Sequence, residues 1–592
     1  MRRENNSRVM ACFLIFFLGA SPVLYATDVL ERTISVRLEG VPLKEALAEI
    51  AKRGGFEWSY NAGIVDENRR VSLVAEGWTV REALLFILGD DYTFNQYGEY
   101  LILKKRKKDQ KRLSGYISDR KTGQRMANVT VYDRQTLRST TTDRNGFYEL
   151  PVTTRSQIVV SKLRYRDTLL QVSSQTPRLV KFDLYTDTVP QNSGITLREG
   201  MNRLGVRLEE FWVSSSQKLL TLNVRDSLRR VMQFSVLPGL STNGRLGGSV
   251  ANALSLNLLA GYSRGNQIAE LAGLCNINRE RVSGIQGAGL FNITGQRLAG
   301  FQAAGLFNNL SGNATGVQMA GVYNLTAGSM GGAQLAGVLN IAGFGRRATF
   351  QAASGFNWVS KGRSGVQLAG VGNHSNHATG FQGATIVNSA DTLRGCQVSG
   401  FLNRAGSVQG VQIGIVNIAR EIKGVQLGLI NISKTGGYVT LEASANDVFY
   451  ANLSFKMGVP AFYTILSAGF DPESPENNRL WGYGLGLGAY ARLTRWSGIS
   501  FDLVSKHLSS GAHASAWQEW VQFAISPEIR LGNHFSLAGG PSANLFVADP
   551  VRSDAVAIRE QIVTRDLLDV SNNADGRLSA WWGWTGAVRV RF

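Results

Sequence analysis

The chain has 592 residues, 44% hydrophobic and 18% charged. That is too apolar for a disordered chain and too polar for a bundle of membrane helices. Three cysteines exclude a disulfide scaffold or a cysteine-built zinc domain, and five histidines leave little for metal or acid–base chemistry. The net charge of +19 is uneven, because residues 104–112 (KKRKKDQKR) carry seven positive charges and one negative.

Residues 1–26 read as a signal peptide. Arg2, Arg3 and Arg8 form a basic start, Val9 to Ala20 is an apolar run, and Ala26 ends a cleavage segment. The run is too short to cross a membrane. Cys12 precedes the apolar run instead of following it, so no lipid anchor is expected. No later stretch reads as a membrane helix.

Residues 27–103 predict a small α+β domain. Thr33 to Leu38 alternates as a strand, and Pro42 opens a helix with Leu43, Ala46, Leu47 and Ile50 on one face. Gly54-Gly55 closes that helix. Val71 to Ala75 is a second strand, Thr79 caps a second helix, and 92–103 forms a hairpin. The segments VPLKEALAEIAKRGGFEWSYN and SLVAEGWTVREALLFILGDDYTF resemble the short N-terminal domain of secretins and TonB-dependent transducers. That resemblance implies a periplasmic module that touches an anti-sigma-like regulator at the inner membrane. The basic run 104–112 reads as a solvated linker without the interleaved aromatics of a nucleic-acid site.

Residues 113–185 alternate at period two between turn signals, as in a β-sandwich. Asn145-Gly146 is a hairpin turn. The series Gly115-Tyr-Ile, Asp119, Thr122-Gly123, Ala127-Asn-Val129 and Asn145-Gly-Phe-Tyr148 resembles the carboxypeptidase-regulatory-like domain ahead of Bacteroidetes-type outer-membrane receptors. Residues 186–227 read as a linker. Within it, Leu208, Glu209, Glu210, Phe211, Trp212 and Val213 resemble the box by which such receptors add a strand to TonB, with Phe-Trp departing from the usual Val-Val.

The most informative feature spans 268–433. The unit Gly-x-Gln-x-Ala-Gly-x-x-Asn recurs eleven times, its period drifting from 16 to 14 residues. Its amides are Gln286, Asn292, Gln302, Asn308, Gln318, Asn324, Gln334, Asn340, Gln367, Asn373, Gln382, Asn388, Gln397, Asn403, Gln412 and Gln426. A divergent copy holds Gln351, and Glu270 stands in the first Gln place. In one unit Val317, Met319, Gly321, Tyr323 and Leu325 share a bulky apolar face. Gly316, Gln318, Ala320, Val322 and Asn324 share the other. A ten-residue strand so patterned fits a transmembrane barrel with lipid outside and a wet lumen. The rival is a β-solenoid, in which the amides stack into ladders.

The flanks favour the barrel. Residues 438–592 contain longer amphipathic strands and end on AWWGWTGAVRVRF, where Val588, Val590 and Phe592 alternate with Arg589 and Arg591. A terminal Phe on such a strand resembles the signal read by the barrel-assembly machinery. Trp581, Trp582 and Trp584 suit an interfacial girdle. The reading is therefore a mainly β chain: α+β domain, β-sandwich, and one large transmembrane barrel over 228–592, of about 20 or 22 strands. Such a barrel normally holds a plug, and no plug domain is visible. The whole resembles Bacteroidetes surface-repeat proteins.

No catalytic set, cofactor fingerprint or metal site is expected. His374 and His377 sit in a polar connector, and Cys275 and Cys396 read as packed small residues. The function expected is an outer-membrane receptor or signal transducer, with N-terminal domains in the periplasm and lipid around the barrel. The alternatives are TonB-linked uptake and a structural or adhesive scaffold. The ligand is open, and an enzyme or a nucleic-acid partner is not expected.

Overall fold

The computed structural model describes residues 28–61, 63–105, 111–187, 203–346, 349–474, 479–511, 518–548, 568–572 and 578–592, together with Ile558 and Ile562. The signal peptide, most of the basic run and residues 188–202 lie outside the described residues. The protein is mainly β, as its period-two patterns require. It divides into two compact units, one essentially N-terminal to residue 186 and one from Asp187 onward.

In the first unit, strands Thr33–Pro42 and Arg70–Thr79 pair antiparallel, and the helices Leu43–Gly54 and Val80–Leu88 follow them. Gly55 ends the first helix at φ +66°, a left-handed conformation that glycine adopts without a Cβ penalty. The second helix starts with a capping box: the Thr79 hydroxyl accepts from the Glu82 amide while Glu82 accepts from the Thr79 amide. The apolar helix faces close over Ile34, Leu73, Leu101 and Leu103. Residues 112–184 form two sheets, of four and three strands, around Leu113, Val131, Tyr148 and Ile158.

The second unit corrects the single-barrel expectation. Residues 228–435 are instead a stack of coils whose strands pair in parallel, in register, one coil with the next. Gln302 lies beside Gln318, and Asn308 beside Asn324. The reason is a corner inside each unit. Gly321-Val322 does not continue a strand; it bends between Asn313–Ala320 and the strand that begins at Tyr323. One repeat is therefore a full turn, and the solenoid alternative holds. The glycine two residues before the Gln, present in most coils, permits the close stacking. Gly316 has φ +140°, and a Cβ there would lie 1.9 Å from the Gly300 carbonyl oxygen.

The barrel is smaller than expected and starts at Tyr438. Eight antiparallel strands run Tyr438–Asn446, Ala451–Val459, Phe462–Phe470, Leu480–Arg492, Ser497–Ser510, Gln518–Leu531, Phe535–Ala548 and Leu578–Arg591. The first and last pair, Leu441 opposite Val590, and close the sheet. At one end the connectors are short: 460–461, 493–496 and 532–534. The other end carries the longer ones, 471–479 and 549–577. Leu453, Tyr483, Leu485, Leu503 and Phe523 face outward and are exposed. No helix among the described residues is long and apolar enough to cross a membrane, which says nothing against strands doing so.

Candidate functional site

The repeat amides do not line a lumen. All are buried inside the coils, and they form two unbroken ladders. In the glutamine ladder each Nε2 donates to the preceding coil: Gln302 to Gln286 at 2.7 Å, Gln318 to Gln302 at 2.8 Å, and so on to Gln426. In the asparagine ladder each Nδ2 donates to the following coil, as Asn308 does to Asn324 at 2.9 Å. The two ladders thus run in opposite senses. The second proton of each asparagine goes to a backbone carbonyl, for Asn308 that of Met319 at 2.7 Å. Every amide is satisfied without water, as burial demands. Gln351 keeps its place in the ladder despite its divergent surroundings.

Glu270 begins the glutamine ladder. Its carboxylate accepts from Asn278 at 2.6 Å, Gln286 at 2.7 Å and Asn257 at 3.3 Å. An acceptor-only group suits a ladder whose first amide donates toward it. Burial pushes this carboxyl above the ordinary range, and the three amides oppose that shift. At the other end Asn431 donates to Thr464 Oγ1 of the barrel at 2.9 Å.

Leu208–Val213 is the second correction. The segment lies in and just after a helix, Arg203–Trp212, and is not an extended strand. Glu209 is buried and accepts from the Tyr262 hydroxyl at 3.0 Å, with Lys218 3.8 Å away. Leu208, Trp212 and Val213 pack on Tyr262, Cys275 and Ile277. Glu210 and Phe211 point outward. This helix and Ser215–Asn223 cap the first coils, a role that an open solenoid end requires. The linker 186–227 is therefore partly helical. Its amphipathic spacing (Val206, Leu208, Trp212, Val213) was the missed signal.

The barrel lumen holds a charge network that the sequence reading did not assemble. Glu442 binds Lys456 and the Arg589 guanidinium, each at 2.5 Å. Lys456 also meets Asp502 at 2.9 Å, and Arg589 meets Glu528 at 2.9 Å and Ser500 at 2.9 Å. Arg591 reaches Glu528 at 2.9 Å, and the Tyr463 hydroxyl donates to Asp502 at 2.6 Å. Three carboxylates face three cations. Lys506 donates to Asn452 at 2.6 Å beneath the rings of Phe449 and Trp520. The space left among these groups is about 30 Å³, room for roughly one water. Tyr438 stacks on Tyr463 at one end of the lumen. Phe449, Trp520, Phe546, Trp581 and Ile562 close the other. An eight-stranded barrel is just wide enough for side chains to fill, so no plug is needed.

Phe592 follows the last strand, exposed, with its amide bonded to the Val439 carbonyl. Trp582 and Trp584 face outward as a girdle requires, whereas Trp581 turns into the closing cluster. Cys275 and Cys396 are unpaired thiols, and burial pushes Cys275 up to about 12. His374 lies against Trp358, and no metal-ligating cluster occurs among the described residues. No protein-family model, no curated protein and no solved structure matches the chain.

Proposed function

We propose that this is an outer-membrane protein of the signal-relay class: the barrel anchors it, and the N-terminal α+β module docks a periplasmic or inner-membrane regulator. The filled lumen carries this reading. Among the described residues, six interlocked charges and two closing clusters fill the lumen, which supports an anchor and weighs against uptake. The helical Leu208–Val213 segment weighs the same way, since strand addition needs extended backbone.

Three features support the membrane assignment. The outward side chains of the barrel are mainly apolar, with Ser505, His507 and Glu519 grouped toward the long-connector end, Trp582 and Trp584 lie on its outer face, and its connectors are short at one end and long at the other. The short-turn end holds both Tyr438 and Phe592, the ends of the barrel segment, which supports reading that end as periplasmic. On the N-terminal module, Val74 and Phe86 are more than half exposed, and Phe86 packs edge-on to Trp78. This apolar patch is the proposed docking surface.

Two measurements test the reading. On a cold SDS gel the outer-membrane fraction should show a band that shifts on boiling; a band that does not shift means that no closed barrel is embedded. A photo-crosslinker at Phe86 should capture one partner in cells. Deleting residues 27–103 should abolish partner capture and keep the gel shift. Capture by a probe on the sandwich after that deletion refutes the docking role.

A further inference from the structure

The solenoid exposes bulky apolar side chains along the edge made by its corners, and a few more, Phe344 and Trp358 among them, on the strand that follows. Most corners present a bulky side chain to solvent: Leu306, Val322, Val338, Ile386, Phe401 and Leu429 are all exposed, whereas Leu290 and Val371 are half-buried and Gly355 fills that place in one coil. The outward side chains leading to that edge are apolar as well, Phe301, Met319, Leu368 and Ile413 among them. Between them runs an open trough of about 1200 Å³ floored by alanine and glycine. Soluble monomers rarely expose continuous apolar surface of this extent.

The apolar zone ends at a line of cations. Going back from the corner, six of the coils carry a cation ahead of their Gln, at Arg281, Arg297, Arg346, Lys361, Arg394 and Lys423; Asn313 and Ser329 take that place in two others, and Lys423 pairs with Glu421. Residues 264–436 carry 13 Lys and Arg against 4 Asp and Glu. From Gly284 to the corner at Gly289 is five residues, and at ~3.3 Å each the apolar depth is roughly 16 Å, about half of a ~30 Å hydrocarbon core. That is the depth of one leaflet, bounded by charges that suit anionic headgroups.

The attachment to the barrel orients this edge. The last coils pack on the outward face of the second and third barrel strands. On the polar side of the coil, Ile422 clusters with Val459 and Phe462 beside the short turn. Nearer the apolar edge, Asn431 reaches Thr464 and the Met457 carbonyl, further up the wall. The edge therefore points along the barrel wall toward its apolar band. Where the edge's neighbouring face is covered, in the first coils, the cover is the apolar side of the chain's own helix.

We infer that the Ala-Gly edge of the solenoid is inserted into the periplasmic leaflet of the membrane that the barrel crosses, with the cation row at the headgroups. This rests on the barrel being a membrane anchor. The occupant is the acyl layer itself. A single bound chain would fill only the trough, whereas the apolar surface continues over the corner.

Single-cysteine variants of the full chain, in a background without other cysteines, test this in vesicles containing phosphatidylglycerol. Val338→Cys reports the edge, Arg297→Cys the cation row and Leu485→Cys the barrel wall, each carrying an environment-sensitive fluorophore. Labels at 338 and 485 should lose emission to doxyl-labelled lipid and be shielded from iodide; the label at 297 should be quenched by iodide. Lipid quenching at 485 with iodide quenching at 338 overturns the insertion and leaves the anchor standing. Absence of lipid quenching at both 338 and 485 defeats the anchor reading, and the insertion with it. A label at 338 shielded from both quenchers means a protein cover, such as a second copy, and overturns the lipid assignment.

Discussion

A buried amide in a ladder differs from a surface amide in what its loss exposes. Removing Asn324 strands the Nδ2 of Asn308 and the Oδ1 of Asn340, both inside the coil. Each unsatisfied group costs about 1–3 kcal/mol, so Asn324→Ala should destabilise the solenoid by ~3 kcal/mol, read by denaturant titration. A loss no larger than that of an exposed Asn would show that the ladder contributes nothing. Glu270 predicts a pH dependence. Its folded-state pKa is raised, so its contribution to stability is complete below the unfolded value and is lost as pH rises through the folded one. Resistance of the solenoid to proteolysis should therefore fall over that interval, and Glu270→Gln should lack that component.

At the scale of elements, coils and barrel strands obey different rules. Coils stack by identity of register, so one misfit propagates to both neighbours. Gly316→Val, placing a β-branched side chain against the Gly300 carbonyl at φ +140°, should split the stack locally and open a protease site near 300–320. Barrel strands close around charge pairs. Arg589→Met leaves Glu442 and Glu528 buried with fewer partners, and should cost about 3–5 kcal/mol. The unboiled gel band should then lose its shift at lower temperature than the parent; an unchanged transition would mean that the network is dispensable. The capped helices and the turns at Gly55 and Gly146 were legible from local pattern, because capping and left-handed glycine are short-range chemistry. The shared face of Gln318 and Asn324 was also legible, but Val322, assigned to that face, is exposed at the corner, because the strand does not run on through Gly321-Val322. Which face lay inside was not, since a two-sided pattern is the same for a barrel wall and for a coil.

At the scale of the molecule, the division of labour follows from where charge is buried. The barrel hides its charges inside and shows lipid-compatible side chains outside; the solenoid hides amides and shows an apolar edge above a cationic row. The coils also bury an apolar row of Val282, Leu298, Leu310, Met330 and Val359, so it is the barrel wall and the solenoid edge that are proposed to share one membrane. Prevention of anchoring should therefore affect both. A chain lacking Leu578–Phe592 cannot pair the first barrel strand, and should accumulate as aggregated or degraded protein with its solenoid edge uncovered. Recovery of that truncation as a soluble monomer would count against the membrane role of both parts.

Residue order alone settled the class of the chain, the elements of its N-terminal module and the period of the repeat. Period, capping and composition are properties of neighbours along the chain. Three things depended on the third dimension: that each repeat is a closed coil, that the barrel has eight strands, and that its lumen is filled. Each is decided by which distant segments meet: Gln302 with Gln318, Leu441 with Val590, Glu442 with Arg589. A strand's pattern constrains its two faces, but its partner is chosen by the backbone hydrogen bonds and buried charges that only the folded chain brings together.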